Sequence, residues 1–154
     1  MKKRFLVLGA AVLIAACIGG CGKKAADVNA QELADALKNG ITYEDDLSSI
    51  DLDTAQMIYN FGDANIAEAV FYESTGATAE EIVVLKCASD ADAGTAEDAL
   101  KARVDEQKES FTDYVPAELE KLNAAVIYRS GNCAVLSVSS EPDKARGIID
   151  SYFK

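Results

Sequence analysis

The sequence contains no histidine and no tryptophan among its 154 residues. Without histidine the chain lacks the commonest general base, the usual activator of a serine or cysteine nucleophile, and the commonest metal ligand. Positive charge is also scarce, because 15 Lys and Arg face 26 Asp and Glu and give a net charge of −11. Nucleic-acid phosphates need a cationic surface. These absences exclude most common catalytic sites and predict no nucleic-acid partner.

The composition is otherwise that of an ordinary globular protein. Hydrophobic residues make up 49% and charged residues 27% of the chain. A chain of this length and composition predicts one folded domain.

The first 20 residues have the pattern of a secretory signal. Lys2, Lys3 and Arg4 form a positive segment, and an apolar run follows from Phe5 to Ala16. The run is shorter than the roughly 20 residues that cross a bilayer, and it starts at the N-terminus. An uncleaved N-terminal anchor stays open as the alternative. Both interpretations place the rest of the chain on the extracytoplasmic face of the cell membrane.

A cysteine motif closes this segment. Ile18-Gly19-Gly20-Cys21 resembles the lipobox of bacterial lipoproteins. In that family the cysteine becomes the first residue of the mature chain and carries a diacylglyceryl thioether in the membrane. Cys17, after Ile14-Ala15-Ala16, fits the same pattern. We predict lipidation at Cys21, with Cys17 as the alternative, because apolar residues continue to Ile18 before polarity begins.

These motifs divide the chain into three parts. Residues 1–20 are predicted to be a lipoprotein signal peptide, residues 21–27 a tether, and residues 28–154 a single domain. Loss of residues 1–20 leaves 12 positive against 26 negative side chains, a net charge of −14. Anionic lipid repels such a body, so we expect it to stand away from the membrane surface.

Helical periodicity and capping residues predict five helices in the mature chain. They cover Ala30–Lys38, Asp53–Tyr59, Ala96–Asp113, Pro116–Leu122 and Asp143–Phe153. Asp27 or Asn29 is expected to cap the first helix, and Asp92 or Thr95 the long one.

Four segments rich in β-branched and aromatic residues predict strands. They are Ile66–Glu73, Glu81–Cys87, Ala125–Tyr128 and Cys133–Val138, and Gly131-Asn132 is typical of a hairpin turn. Residues 41–52 are predicted to be a connection. The fold class we predict is α+β, with a four-stranded, mainly antiparallel sheet of two hairpins and helices packed on one face.

Short motifs along nearly all of the mature chain are shared with one family. They are Tyr59 with Phe61-Gly62, the strand Ala79–Lys86, Ala99-Leu100 with Arg103 and Gln107, Tyr114 with Pro116, Gly131-Asn132, and the helix Ile148–Phe153. On these motifs the chain resembles a family of small bacterial lipoproteins known only as domain of unknown function 4358. The resemblance supports the fold and implies no activity.

Cys87 and Cys133 each fall within a predicted strand. Outside the cytoplasm a disulfide between them can persist, and two buried thiols are the alternative. A nucleophilic role is disfavoured, because no histidine is present to lower a thiol pKa.

The acidic motifs do not predict a metal site. Asp90-Ala91-Asp92 resembles the start of a calcium loop, but its twelfth position is Lys101, where a bidentate glutamate is needed. The acidic stretch that includes Asp45, Asp46, Asp51 and Asp53 is typical of a solvated surface. Ser130-Gly131-Asn132 lacks the companion motifs of a serine hydrolase and predicts a turn. We therefore expect no catalytic residues, no cofactor and no metal.

Three functions remain. The first is a non-catalytic lipoprotein module, held at the membrane by its N-terminal lipid, that binds another envelope protein or a small ligand. The second is a small solute-binding component of an envelope transport system. The third is an envelope enzyme that uses carboxylates alone, for which no motif argues.

Overall fold

The computed structural model describes residues 28–154. The predicted signal peptide, the tether, Cys17 and Cys21 lie outside the described residues. The described part of the chain contains five α-helices and one 3-10 turn. The helices are α1 Ala30–Gly40, α2 Leu52–Ile58, α3 Asp90–Tyr114, α4 Leu119–Asn123 and α5 Pro142–Tyr152, and the turn is Pro116–Glu118.

Five strands form one open antiparallel sheet. They are β1 Ser48–Ile50, β2 Ile66–Glu73, β3 Glu81–Cys87, β4 Val126–Ser130 and β5 Cys133–Val138. Their order is β1-β2-β3-β5-β4. The α+β class and the antiparallel sheet are confirmed, but the expectation of four strands is wrong. The fifth strand, β1, lies in the segment predicted as a connection, where three residues are too few to show a period.

Helices cover both faces of the sheet, which corrects the expectation of one covered face. Ile82 and Val84 of β3 pack with α1 and α5, and we call this side the α1 face. Val83 and Leu85 pack on the opposite side with α2, α3 and α4, the α3 face. Successive strand residues point to opposite sides, so a central strand covered twice is apolar throughout.

Helix α3 begins six residues before the predicted start. Ser89 Oγ accepts a hydrogen bond from the backbone N–H of Asp92, so Ser89 is the N-cap and not Asp92 or Thr95. Asp90 and Asp92 lie in the first turn, where negative charge is stabilised by the helix dipole. Asn29 caps α1 by accepting from Glu32 N–H, as predicted.

The C-terminal helix α5 belongs to the core. Ala145 and Ile149 are fully buried on the α1 face. Beyond the helix, the Phe153 ring packs on Tyr128 with centroids 4.9 Å apart. None of the helices within residues 28–154 is long and apolar enough to cross a membrane.

Candidate functional site

Two glutamates face each other across the hairpin of β2 and β3. The register places Glu73 directly opposite Glu81, and both lie on the α3 face. Like charges in directly opposed positions destabilise a sheet. Glu81 is nevertheless fully buried and the Glu73 side chain is only 14% exposed. The pair therefore needs other groups to compensate its charge.

Three side chains from two other elements supply that compensation. Glu81 Oε2 accepts hydrogen bonds from Gln107 Nε2 at 2.8 Å, Tyr59 Oη at 3.1 Å and Arg103 Nε at 3.3 Å. Tyr59 Oη also contacts Glu73 Oε1, and Arg103 Nη2 lies 3.7 Å from Glu73 Oε2. Arg103 and Gln107 are one helical turn apart on α3, so they share a face. We call these five residues the acid-pair cluster.

The surroundings of the acid-pair cluster favour the protonated form of Glu81. Burial, followed by the charge of Glu73, raises the pKa of Glu81 to about 8. Tyr59 has one hydroxyl proton and can donate to only one of the two carboxyl groups. Burial, and then the charges of Glu81 and Glu73, raise the pKa of Tyr59 well above its ordinary value, so the phenol stays protonated. One of the two carboxyl groups therefore lacks the Tyr59 proton, and the raised pKa of Glu81 favours its neutral form.

A surface cleft borders the acid-pair cluster. Its volume is about 390 Å³, which lies within the range of small-molecule sites. Glu73, Arg103 and Gln107 form one wall, and Ile50, Ile58 and Phe111 supply apolar surface. Tyr59 and Glu81 support these side chains from behind. We call this cavity the Glu73 cleft.

A second charged cluster lies near a different cavity. Lys121 Nζ lies 3.0 Å from a carboxylate oxygen of Glu44, 3.1 Å from one of Glu118 and 3.3 Å from one of Glu80. Glu80 also accepts from the backbone N–H groups of Glu44 and Asp45. We call Glu44, Glu80, Glu118 and Lys121 the Lys121 cluster. Its charged groups pair with one another, so it joins the chain before β1 to the turn before α4.

The two cysteines of the domain are buried on opposite faces of the sheet. Cys133 lies opposite Lys86, and Cys87 follows Lys86 along β3, so the side chains point away from each other. The structure records no disulfide between Cys87 and Cys133. Burial and the charge of Asp92 raise the pKa of Cys87 to about 11. That thiol is therefore a poor nucleophile at neutral pH.

The acidic stretch before α2 has structural contacts. Asp51 caps α2 by accepting from Thr54 N–H at 2.8 Å, and Asp45 accepts from the N–H and hydroxyl of Thr75. No group of three or more Cys, Asp or Glu side chains that could hold a metal ion is present in residues 28–154.

The sequence interpretation did not identify the acid-pair cluster. Tyr59, Arg103 and Gln107 are among the residues on which the family resemblance rests, but no local motif connects them. One signal was present, because two glutamates end the facing strands of a predicted hairpin. A register that opposes Glu73 to Glu81 follows if residues 74–80 form the turn.

Comparison with protein-family models gives one match. The model described as Domain of unknown function (DUF4358) matches residues 39–139, about two thirds of the chain. This range includes the acid-pair cluster and the Lys121 cluster. Curated proteins and solved structures give no significant match.

Proposed function

This chain belongs to the family described as Domain of unknown function (DUF4358), and we propose that it is a non-catalytic binding module anchored outside the cytoplasmic membrane. In this proposal the N-terminal lipid holds the chain at the membrane, and the Glu73 cleft binds a small polar ligand.

One observation carries the binding proposal. The Glu73 cleft is lined by charged and amide side chains that the buried Glu81 and Tyr59 hold in place. Most protein surfaces lack buried polar networks behind an open cavity, because burying a carboxyl group is costly unless it is compensated. A preorganised set of polar groups in a cleft that also has apolar surface is the usual construction of a ligand site.

The arrangement disfavours an enzyme that uses a carboxylate pair. Glycosidases place two carboxyl groups about 5–9.5 Å apart on the two sides of the bond that breaks. Here Glu81 is fully buried, lies directly opposite Glu73 in the sheet and shares Tyr59 and Arg103 with it. Glu73 is the carboxylate among the described residues that line the cleft. One carboxylate beside one arginine supports binding rather than general acid–base chemistry.

A cleft-filling substitution tests the binding proposal. Ser110 lines the cleft and is exposed, so Ser110→Trp should occupy the cavity without disturbing the core. Thr112→Trp, at an exposed position of the same helix that does not line the cleft, is the matched control.

The full-length chain in detergent micelles would be screened by ligand-observed NMR against neutral, cationic and anionic small molecules. We expect ligands whose signals are lost with Ser110→Trp and kept with Thr112→Trp. A screen in which both variants bind the same compounds as the original chain would contradict a role for this cleft.

The lipid anchor has its own test. When expressed in a bacterium, Cys21→Ser should lose the detergent-phase form and the mass of the diacylglyceryl group, whereas Cys17→Ser should keep both. A diacyl chain is sufficient for stable attachment, since each buried methylene contributes about 0.8 kcal/mol. The opposite pattern would move the anchor to Cys17, and retention of lipid by both variants would overturn this part of the proposal.

A further inference from the structure

The hydroxyl groups that line the Glu73 cleft donate hydrogen bonds to other groups of the protein. They belong to Ser74, Thr75, Thr78 and Ser110. Their acceptors are the carbonyl oxygens of Thr78 and Glu106 and the carboxylates of Asp45 and Glu80. A hydroxyl has one proton and two lone pairs, so each of these groups offers a ligand an acceptor.

Gln107 and Arg103 contribute the other hydrogen-bonding side chains of the Glu73 cleft. Gln107 uses its Nε2 group at Glu81, which leaves its carbonyl oxygen as another acceptor. Arg103 hydrogen bonds through Nε, and its side chain is 22% exposed. A guanidinium carries five N–H donors, so the Nη groups of Arg103 supply donors to the cleft. Donors and acceptors therefore line the same cleft.

The charges on this wall cancel. Glu73 and Arg103 are the two charged side chains among the described residues that line the cleft, and 3.7 Å separates their charged groups. An ammonium ligand at Glu73 would be repelled by Arg103. A carboxylate ligand at Arg103 would meet Glu73 and the lone pairs of the hydroxyl groups.

Two aromatic residues follow Arg103 and Gln107 along α3 at the cleft. Phe111 lines the cavity, and the Tyr114 ring packs on it with centroids 5.9 Å apart. Tyr114 is 66% exposed, which is unusual for a large apolar residue of this domain. Such a surface suits a flat ligand with an apolar face.

We propose that the Glu73 cleft binds an uncharged saccharide. A sugar hydroxyl both donates and accepts, so one ring can satisfy the acceptors of the wall and the donors of Arg103 together. The C–H face of the saccharide then packs on the exposed Tyr114 ring, which lies beside the residues that line the cleft. This inference rests on the proposed function, because it names the ligand class of the same cleft.

The test compares sugars that differ in charge. The full-length chain, in micelles of a detergent without a sugar headgroup, would be titrated calorimetrically with glucose, cellobiose, glucosamine and glucuronate. We expect glucose or cellobiose to bind at least about tenfold more tightly than the cationic and anionic sugars.

Two pairs of variants assign the binding to the cleft. Tyr114→Ala removes an exposed ring and should weaken binding at least about tenfold, whereas Tyr114→Phe should keep it. Arg103→Lys should also weaken binding, since a lysine cannot reproduce the planar set of donors. Arg129→Lys is its control, because Arg129 lies in a surface ion pair with Glu97 and outside the cleft.

The outcomes separate this inference from the proposed function. Tighter binding of glucosamine or glucuronate, or no neutral sugar bound up to about 10 mM, overturns the saccharide class. The cleft keeps its binding role in that case if the Ser110→Trp screen still removes other ligands. Saccharide binding that Tyr114→Ala and Arg103→Lys both leave unchanged overturns the site.

Discussion

Glu80 and Glu81 are consecutive residues, both are fully buried, and their environments are opposite. Glu80 points toward the Lys121 cluster, where it meets an ammonium group and two backbone N–H groups. Glu81 points toward the acid-pair cluster, where a second carboxyl group accompanies its donors. Alternation along a strand is enough to send two identical side chains to different faces.

The comparison of Glu80 with Glu81 shows two ways in which a fold accommodates a buried carboxyl group. Glu80 accepts from two backbone N–H groups and shares the Lys121 ammonium group with Glu44 and Glu118. Glu81 shares its surroundings with Glu73, and burial together with the charge of Glu73 raises its pKa, which favours the protonated form. The contacts of Glu80 hold segments of the chain together, whereas those of Glu81 lie beneath the Glu73 cleft. Three changes can break or sharpen this comparison.

Removal of Lys121 should have the largest effect. Burial alone would lower the pKa of Lys121, but its hydrogen bonds with Glu44 and Glu118 and the charge of Glu80 outweigh burial and raise it. Lys121→Met leaves the buried Glu80 and Glu118 without their cation. Breaking a buried ion pair in this way costs about 3–5 kcal/mol. The free energy of unfolding in urea is the measurement.

Lys101→Met is the matched control. Lys101 also contacts two carboxylates, those of Glu97 and Asp98, but its side chain is 51% exposed. Exposed ion pairs contribute about 0–1 kcal/mol, so this variant should lose little stability. Equal losses in the two lysine variants would show that the Lys121 cluster is not a buried ionic site.

The sequence was sufficient for the parts of the fold that local patterns determine. The β4–β5 hairpin follows from Gly131-Asn132, and Gly131 has the positive φ of 53° that such turns require. The position of α5 could also be predicted from its apolar periodicity, and the start of α1 from its Asn29 cap. The apolar run of β3 is typical of a strand covered on both faces, so the second helical layer was available in principle.

The site depends on contacts that no local pattern contains. Tyr59 and Arg103 reach Glu81 from positions 22 residues before and after it, through the end of α2 and the middle of α3. Strand β1 exists because β2 pairs with it, Ser48 opposite Glu73 and Ile50 opposite Phe71. Tertiary packing decides these features, and periodicity within one segment cannot supply them.

Neutral substitutions of the two adjacent glutamates should separate their roles with a smaller effect. Glu80→Gln places an amide N–H₂ against the backbone N–H groups of Glu44 or Asp45 in either orientation. An unsatisfied buried donor costs about 1–3 kcal/mol. The raised pKa of Glu81 favours a neutral carboxyl group at pH 6, and Glu81→Gln keeps a neutral side chain of the same shape, so its loss should stay within about 1 kcal/mol.

Urea unfolding of both variants at pH 6 is the measurement, and each serves as the control for the other. A larger loss for Glu81→Gln than for Glu80→Gln would contradict the expected order.

The pH dependence of stability should reveal the proton on Glu81. Because the folded state raises the pKa of Glu81 from its ordinary value of 4.5 to about 8, the folded chain binds one more proton than the unfolded chain between these values. Stability from this group is therefore complete below pH 4.5 and is lost as the pH rises through 8.

The contribution of this one proton to the slope of the unfolding free energy against pH cannot exceed about 1.4 kcal/mol per pH unit. The chain contains no histidine, so no imidazole titrates in this window. Measured from pH 5 to pH 9, the unfolding free energy of the original chain should fall relative to that of Glu81→Gln by up to about 1.4 kcal/mol per pH unit and cross it, and the difference should become constant above pH 8. Parallel curves over the whole range would show that Glu81 carries no proton in the folded state.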